Sequence, residues 1–219
     1  MLERQIVIVE DDDFLRSLIA SYLEQHDFSV ATARTAVEAA KVIKEVDPDA
    51  LILDIDLGDA LTGIDVARRF GRADQGVAVV FLTSISDSRF VEGDIAKEFP
   101  KASYLNKGLL KDPALLVAAL EGVLVGNADA RIRHDRNPER PFAALTQTQI
   151  QVLQLVASGK TNRQISELRG TSLEATEAII ARIMRALSLD SAVEQNARIL
   201  AARTYIEKVN FPYRDGSIK

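Results

Sequence analysis

Apolar positions follow two regimes along this chain. Up to residue 124, short unbroken apolar runs alternate with stretches of helical period; from 142 onward only the helical period remains. The runs at residues 5–9, Phe28–Ala33, Leu51–Leu53, Val77–Leu82 and Ala102–Leu105 predict five strands. Leu51–Leu53 shows no polar alternation, which fits a parallel strand covered on both faces. Between the runs, Phe14, Leu15, Leu18, Ile19, Tyr22 and Leu23 recur at helical spacing. Behind a Thr35 cap, Val37, Ala40, Val42, Ile43 and Val46 do the same, and Pro48 ends that helix. Further helices are predicted over Ile64–Phe70, over roughly 86–98, and from Pro113 through Leu115, Leu116, Ala119, Leu120, Val123 and Leu124. Five βα units make an α/β doubly wound, five-stranded parallel sheet. Residues 125–141 are polar, carry two prolines and lack an apolar period, which marks a linker. Helices at about 146–158, 161–168, 172–187 and 191–208 then predict a small all-α domain, with Ser172 capping the third. The expected organisation is residues 1–124, a linker at 125–141, a helical domain at 142–210 and a tail at 211–219.

Composition narrows the chemistry. With no cysteine there is no disulfide, thiol nucleophile or thiolate metal site. His26 and His134 stand far apart, which argues against a histidine metal cluster. The longest clean apolar run, Val77–Leu82, is far too short to span a membrane, and the first residues carry no signal-peptide pattern. A cytoplasmic location without membrane attachment is the expectation. Charge is unevenly divided. Residues 1–126 hold 22 acidic against 13 basic side chains, whereas residues 127–219 hold 10 against 14. An acidic half joined to a basic half suggests two tasks, the second facing a polyanion.

In open α/β sheets ligands bind beyond the carboxyl ends of the strands. An Asp after a single strand is most simply a turn former, but here three strand ends carry acids or hydroxyls. The first runs into Glu10 and Asp11, the third into Asp54 and the fourth into Thr83, with Lys107 after the fifth. Clustered carboxylates repel one another unless a hard cation lies among them, and Mg2+ takes carboxylate oxygens, waters and a phosphate oxygen. Lys107 and Thr83 would then be donors to a phosphoryl group, with Asp54 as the carboxylate nucleophile.

These residues together resemble the response-regulator receiver domain of two-component signalling, over about 120 residues. The resemblance implies the flavodoxin-like strand order 2-1-3-4-5. It matches Glu10-Asp11, oriented by Arg16, to the acidic pair and Asp54 to the phosphoacceptor. Thr83 and Tyr104 match the switch pair, and Lys107 the lysine after strand five. It further implies that the backbone carbonyl of Asp56 ligates the metal, that a sensor histidine kinase or phosphotransfer protein supplies the phosphoryl group, and that phosphorylation drives homodimerisation. The expected dimer face carries Glu92, Asp94, Lys97, Glu98, Lys101 and Lys111. Such a chain is not an enzyme beyond its own phosphotransfer and dephosphorylation. Leu51–Asp56 also resembles the Asp-x-Asp motif of haloacid-dehalogenase-type phosphatases. That reading is disfavoured because the acidic pair precedes it rather than following the lysine.

Beyond the linker, Leu145-Thr146, the Gly159–Ile165 stretch, Ile183 and Leu187 resemble the LuxR/FixJ-type helix-turn-helix domain. The resemblance implies a recognition helix from Ser172 to Leu187, with Ile180, Ile183 and Leu187 in the core. Leu173, Glu174, Glu177, Ala178, Ala181 and Arg185 would face the major groove of promoter DNA. Lys160, Arg163, Arg169, Arg182 and Arg185 would reach backbone phosphates, and Glu174 and Glu177 could accept from cytosine amino groups. Where that family often places a Thr, a basic residue and a His along the exposed helix, this chain has Ala175, Glu177 and Ile179. It also has Gln149 where Glu is preferred. A protein-binding output that has lost its DNA contacts is the alternative expectation.

Overall fold

A computed structural model describes residues 4–58, 60–71, 76–84, 95–109, 112–126, 142–189 and 194–209. Backbone contacts divide the chain into two compact units. The first holds five strands, β1 (Arg4–Val9), β2 (Phe28–Ala33), β3 (Ala50–Leu53), β4 (Ala78–Thr83) and β5 (Ser103–Asn106). All neighbours pair in parallel, in the order β2-β1-β3-β4-β5, as expected. Its helices are α1 (Asp13–Glu24), α2 (Ala36–Val46), α3 (Gly63–Phe70), the short α4 (Ile95–Glu98) and α5 (Ala114–Leu124).

β1 and β3 lie inside the sheet, and Ile6–Val9 and Ala50–Leu53 are buried throughout, which explains their unalternated sequences. On one sheet face Ile6, Ile8, Ile52, Val80, Leu82 and Leu105 pack against α1 and α5 through Ile19, Leu23, Leu116, Ala119 and Leu120. Only part of each predicted apolar stripe points inward. In α1 the core line is Leu15, Ile19 and Leu23, four residues apart, while Phe14 is 78% exposed and Leu18 55%. In α2 the small Ala36 and Ala39 with Ile43 face the sheet, and Val37 is turned out. An amphipathic count sees apolarity but not the angle at which the helix meets the sheet.

Two strands extend further than their apolar runs. Leu82 pairs with Leu105 and Thr83 with Asn106, so two polar residues belong to the ladder and not to the loops beyond it. Backbone pairing continues past the last apolar side chain because hydrogen bonds, not side-chain polarity, end a strand. Residues 86–94 of the expected fourth helix, Glu92, Asp94 and Lys111 of the expected dimer face, the linker from 127 to 141 and the tail from 211 lie outside the described residues.

The second unit contains α6 (Gln147–Ala157), α7 (Asn162–Arg169), α8 (Leu173–Ala186) and α9 (Glu194–Val209). Each of the first three starts on a hydroxyl cap, Thr146, Thr161 and Ser172, and the first two form full capping boxes with Gln149 and Gln164. Gly159 and Gly170 take φ of +78° and +61° at the two turns, where side chains carrying a Cβ are strained. Ile150, Leu153, Ile165, Ile183 and Ala201 form the core, and Phe142 stacks on Tyr205 with ring centres 6.4 Å apart. Among the described residues no helix is long and apolar enough to cross a membrane.

Candidate functional site

The carboxyl ends of the parallel strands bring the predicted acids together. Glu10 follows β1, and its amide donates to the Ala33 carbonyl at 3.1 Å. Asp54 follows β3, its amide held by the Val9 carbonyl at 2.8 Å. Both side chains are buried, and Glu10, Asp11 and Asp54 each offer one oxygen within 4.8 Å of the others. Arg16 donates to the Glu10 carbonyl at 2.7 Å and pairs with Asp13, so the first turn of α1 fixes the acidic loop. The Asp12 side chain caps that helix, accepting from the Leu15 amide at 2.9 Å, and therefore turns away from the cluster.

Lys107 bridges the acids. Its Nζ donates to Asp54 Oδ2 at 2.8 Å and approaches Glu10 Oε2 to 2.6 Å. Asp54 Oδ1 accepts from the Asp56 amide at 3.2 Å, and Asp56 Oδ1 accepts from the Gly58 amide at 3.3 Å. Burial, reinforced by the Asp54 charge and opposed by Lys107, pushes the Glu10 carboxyl up to about 7. Burial also raises Asp54, against the lowering effects of the Lys107 charge and the Asp56 amide. Lys107 loses hydration, but the two carboxylates more than compensate and hold it above its usual range. A trio of closely set carboxylate oxygens suits a small hard cation such as Mg2+ better than a soft metal.

This electrostatics has a consequence for stability. A carboxyl whose folded pKa is raised binds a proton in the folded state that the unfolded chain has released. Without metal, the contribution of the Glu10 carboxyl is full below about pH 4.5 and is lost as pH rises through about 7. Magnesium needs the deprotonated acids, so the melting temperature should rise little with Mg2+ at pH 5 and clearly at pH 8. Thermal melts across that range, with and without the ion, test this; equal metal effects at both ends would contradict it.

Thr83, fully buried at the end of β4, shares a sheet face with Phe81, Tyr104 and Asn106. The Tyr104 ring is itself buried, 6.4 Å from Phe81, and Phe81 meets Phe99 edge-on at 5.5 Å. Of the expected dimer-face charges, Glu98 is taken by Arg68 of α3 in a two-pronged pair at 2.9 and 3.1 Å, while Lys97 and Lys101 are exposed.

Two positions escaped the sequence reading. Asn106 donates to the Ser84 carbonyl at 3.3 Å and accepts from the Gly108 amide at 2.9 Å, fastening the segments that carry Thr83 and Lys107. Gly63 opens α3 so close to Asp54 that a Cβ there would lie 1.9 Å from the Asp54 carbonyl oxygen. Its place beside the capping Thr62 was the available signal.

In the second unit, Glu174, Ala178, Ala181 and Arg185 recur at i, i+4, i+7 and i+11 and form one exposed stripe of α8. Leu173, Glu177 and Arg182 are also exposed, as is Arg163 on α7, while Lys160 is half-buried. The core side departs from expectation. Thr176, Ile179, Ile183 and Met184 are buried, and Ile180 and Leu187 are only half-buried. Ile179 therefore belongs to the core and not to the exposed face, consistent with its apolar side chain. Arg198 of α9 donates to Asn162 Oδ1 at 2.8 Å and to the Lys160 carbonyl, securing the turn into α7.

Comparison with known proteins agrees with this geometry. Residues 6–120 match the response regulator receiver domain. The chain belongs to the response regulators. In this response regulator, residues 143–196 match the bacterial regulatory proteins of the luxR family. The transcriptional regulatory protein LiaR of Bacillus subtilis is 26% identical over 212 residues, covering 92% of this chain and 98% of LiaR. The oxygen regulatory protein NreC of Staphylococcus aureus is 27% identical over 208 residues, covering 87% of this chain and 94% of NreC. The response regulator RcsB, solved as a DNA complex, shares the fold at a TM-score of 0.62 and 18% identity, across 94% of this chain and 99% of RcsB. This chain is a response regulator, a receiver followed by a segment that matches the luxR family.

Proposed function

We propose that Asp54 is the phosphoacceptor, charged by a sensor histidine kinase or phosphotransfer protein, and that its modification controls DNA binding by α7 and α8. The observation carrying this reading is the Lys107 ammonium held between the buried Asp54 and Glu10, with three carboxylate oxygens within 4.8 Å. In the proposed step an Asp54 oxygen attacks the phosphorus of a phosphohistidine. The P–N bond breaks, the imidazole leaves and takes up a proton, and an acyl phosphate remains. Glu10, Asp11, Asp54 and the Asp56 carbonyl would hold Mg2+, which neutralises charge on the incoming phosphoryl oxygens. Lys107 and the Thr83 hydroxyl donate to those oxygens, and Asp54 Oδ1 is kept in line by the Asp56 amide.

Movement of Thr83 toward the phosphoryl group would be felt by Tyr104 on the same sheet face. The altered packing of α4, β5 and α5 favours a homodimer. The receiver and output boundaries proposed are residues 1–124 and 142–210, in a cytoplasmic protein. Lys160, Arg163, Arg182 and Arg185 supply phosphate contacts, and Glu174 and Glu177 face base edges. The test is DNA affinity by fluorescence polarisation with and without beryllofluoride and Mg2+. Tighter, salt-sensitive binding by the loaded protein is expected, with Arg163→Ala weakening it; binding that ignores both salt and Arg163 would point to a protein-binding output instead. The Asp56 side chain lies two residues from the acceptor, where it can bias attack by water. Asp56→Asn should change the lifetime of the acyl phosphate, and an unchanged half-life would exclude that role.

A further inference from the structure

Three of the positions where α6 and α8 depart from the LuxR/FixJ pattern, Gln149, Ala175 and Ile179, come together in one place. They line a cavity of about 360 Å3 between the first turn of α6 and α8, whose remaining wall includes Arg169, Thr171 and Arg182. No carboxylate lines it among the described residues. Among the described residues neither arginine is ion-paired. Arg182 spends its Nε on the Ala178 carbonyl at 3.2 Å, which leaves its two terminal nitrogens to point elsewhere. Gln149 uses its Oε1 to accept from the Thr146 amide at 2.8 Å, so the helix cap is complete without an acid. The neutral amide thus keeps the cap while leaving both arginines uncompensated.

Two arginines lining one cavity without an acid repel each other and stabilise little until an anion arrives, and their planar forks match phosphate oxygens. Position selects the anion. Arg182 and Ala175 sit at the edge of the exposed stripe formed by Glu174, Ala178, Ala181 and Arg185. A duplex whose major groove received that stripe would carry a phosphate strand along this edge. Glu174 near the stripe's start opposes the phosphate field, so attraction has to come from the flanks. We propose that the cavity seats one phosphate of the DNA backbone, held by Arg169 and Arg182, and that Gln149 is the residue that keeps the seat positive. This rests on the DNA-binding reading given above and specifies where that binding gains its charge.

The test is the salt dependence of binding to a fluorescein-labelled mixed-sequence duplex, using the full-length protein. Gln149→Glu preserves the cap, since Glu at that position accepts from the Thr146 amide equally well and suits a helix N-terminus. It should nevertheless pair with the arginines and flatten the slope of log affinity against log salt by about one. Arg182→Gln should flatten it by a similar amount, uniformly across DNA sequences. Gln164→Glu makes the same chemical change at the matching cap of α7, and should flatten the slope distinctly less. Equal slopes for native protein, Gln149→Glu and Arg182→Gln, alongside salt-sensitive native binding, would overturn the seat while leaving the DNA reading intact. Equal effects of Gln149→Glu and Gln164→Glu would also overturn it, because overall charge would then suffice. If the native protein shows no salt-sensitive binding, both readings fail together.

Discussion

Replacing Lys107 with Met should leave a protein that folds but is less stable and cannot be switched. The methionine stem keeps the packing of the lysine carbons and removes only the ammonium that contacts Asp54 at 2.8 Å and Glu10 at 2.6 Å. Two buried carboxylates then face each other and Asp11 without a counter-charge. Breaking a fully buried ion pair costs about 3–5 kcal/mol. Lys107 keeps 17% of its side chain exposed, so a loss of about 2–3 kcal/mol in metal-free buffer at pH 8 is expected. The sign with pH follows. Lys107 lowers both acids, so its removal raises them further; as pH falls from 8 to 5 they take up protons more readily and the deficit shrinks. Denaturant melts of both proteins at the two pH values measure this directly. A deficit as large at pH 5 as at pH 8 would show that packing, not charge, was lost. The same variant should fail to tighten DNA binding after treatment with a phosphodonor.

Gly63→Ala should be almost as damaging, for a reason that involves no charge. The Cβ would sit 1.9 Å from the Asp54 carbonyl oxygen and 3.3 Å from the Leu53 side chain, both anchored in the centre of the sheet. Backbone cannot yield as a flexible side chain does, so α3 or the loop after Asp54 has to move. Overpacking of this kind costs about 1–3 kcal/mol or more, and for a domain of this size about 4 °C of melting temperature per kcal/mol. The Asp54 carbonyl lies at the clash, so, if Asp54 takes the phosphoryl group as proposed, the rate of phosphorylation should fall even in the fraction that remains folded. By contrast Gly76→Ala, where nothing lies within 4 Å, meets only the cost of a φ of +74°. A full phosphorylation rate in Gly63→Ala would mean that the close approach has no bearing on the site.

Much of the receiver could be read from the chain because its signals are local and repeated. β1 and β3 are interior strands whose unalternated apolar runs end in carboxylates, and parallel topology gathers those ends at one rim. What stayed hidden depended on angles and partners. Phe14 and Leu18 share the apolar period of α1 yet face solvent, because the sheet takes only the Leu15–Ile19–Leu23 line. Asn106 looks like a loop residue but pairs with Thr83 inside the ladder. Glu98 suits an intermolecular bridge by sequence, but Arg68, 30 positions earlier, reaches it first. In the helical unit the order of four helices followed from the apolar period and the Ser172 cap, whereas the caps at Thr146 and Thr161 became evident only in the structure. Which side of α8 is buried was less so, since Thr176 lies in the core, within 3.2 Å of the Thr171 hydroxyl, where an apolar residue would be expected.

In the proposed function one carboxylate accepts a phosphoryl group and thereby sets the state of the molecule. The most direct measurement is peptide mass spectrometry after incubation with acetyl phosphate and Mg2+, comparing the native protein with Asp54→Asn. A single phosphoryl adduct on Asp54 that requires the metal and vanishes in the variant is expected. An adduct on another residue, or none in the native protein, would contradict it.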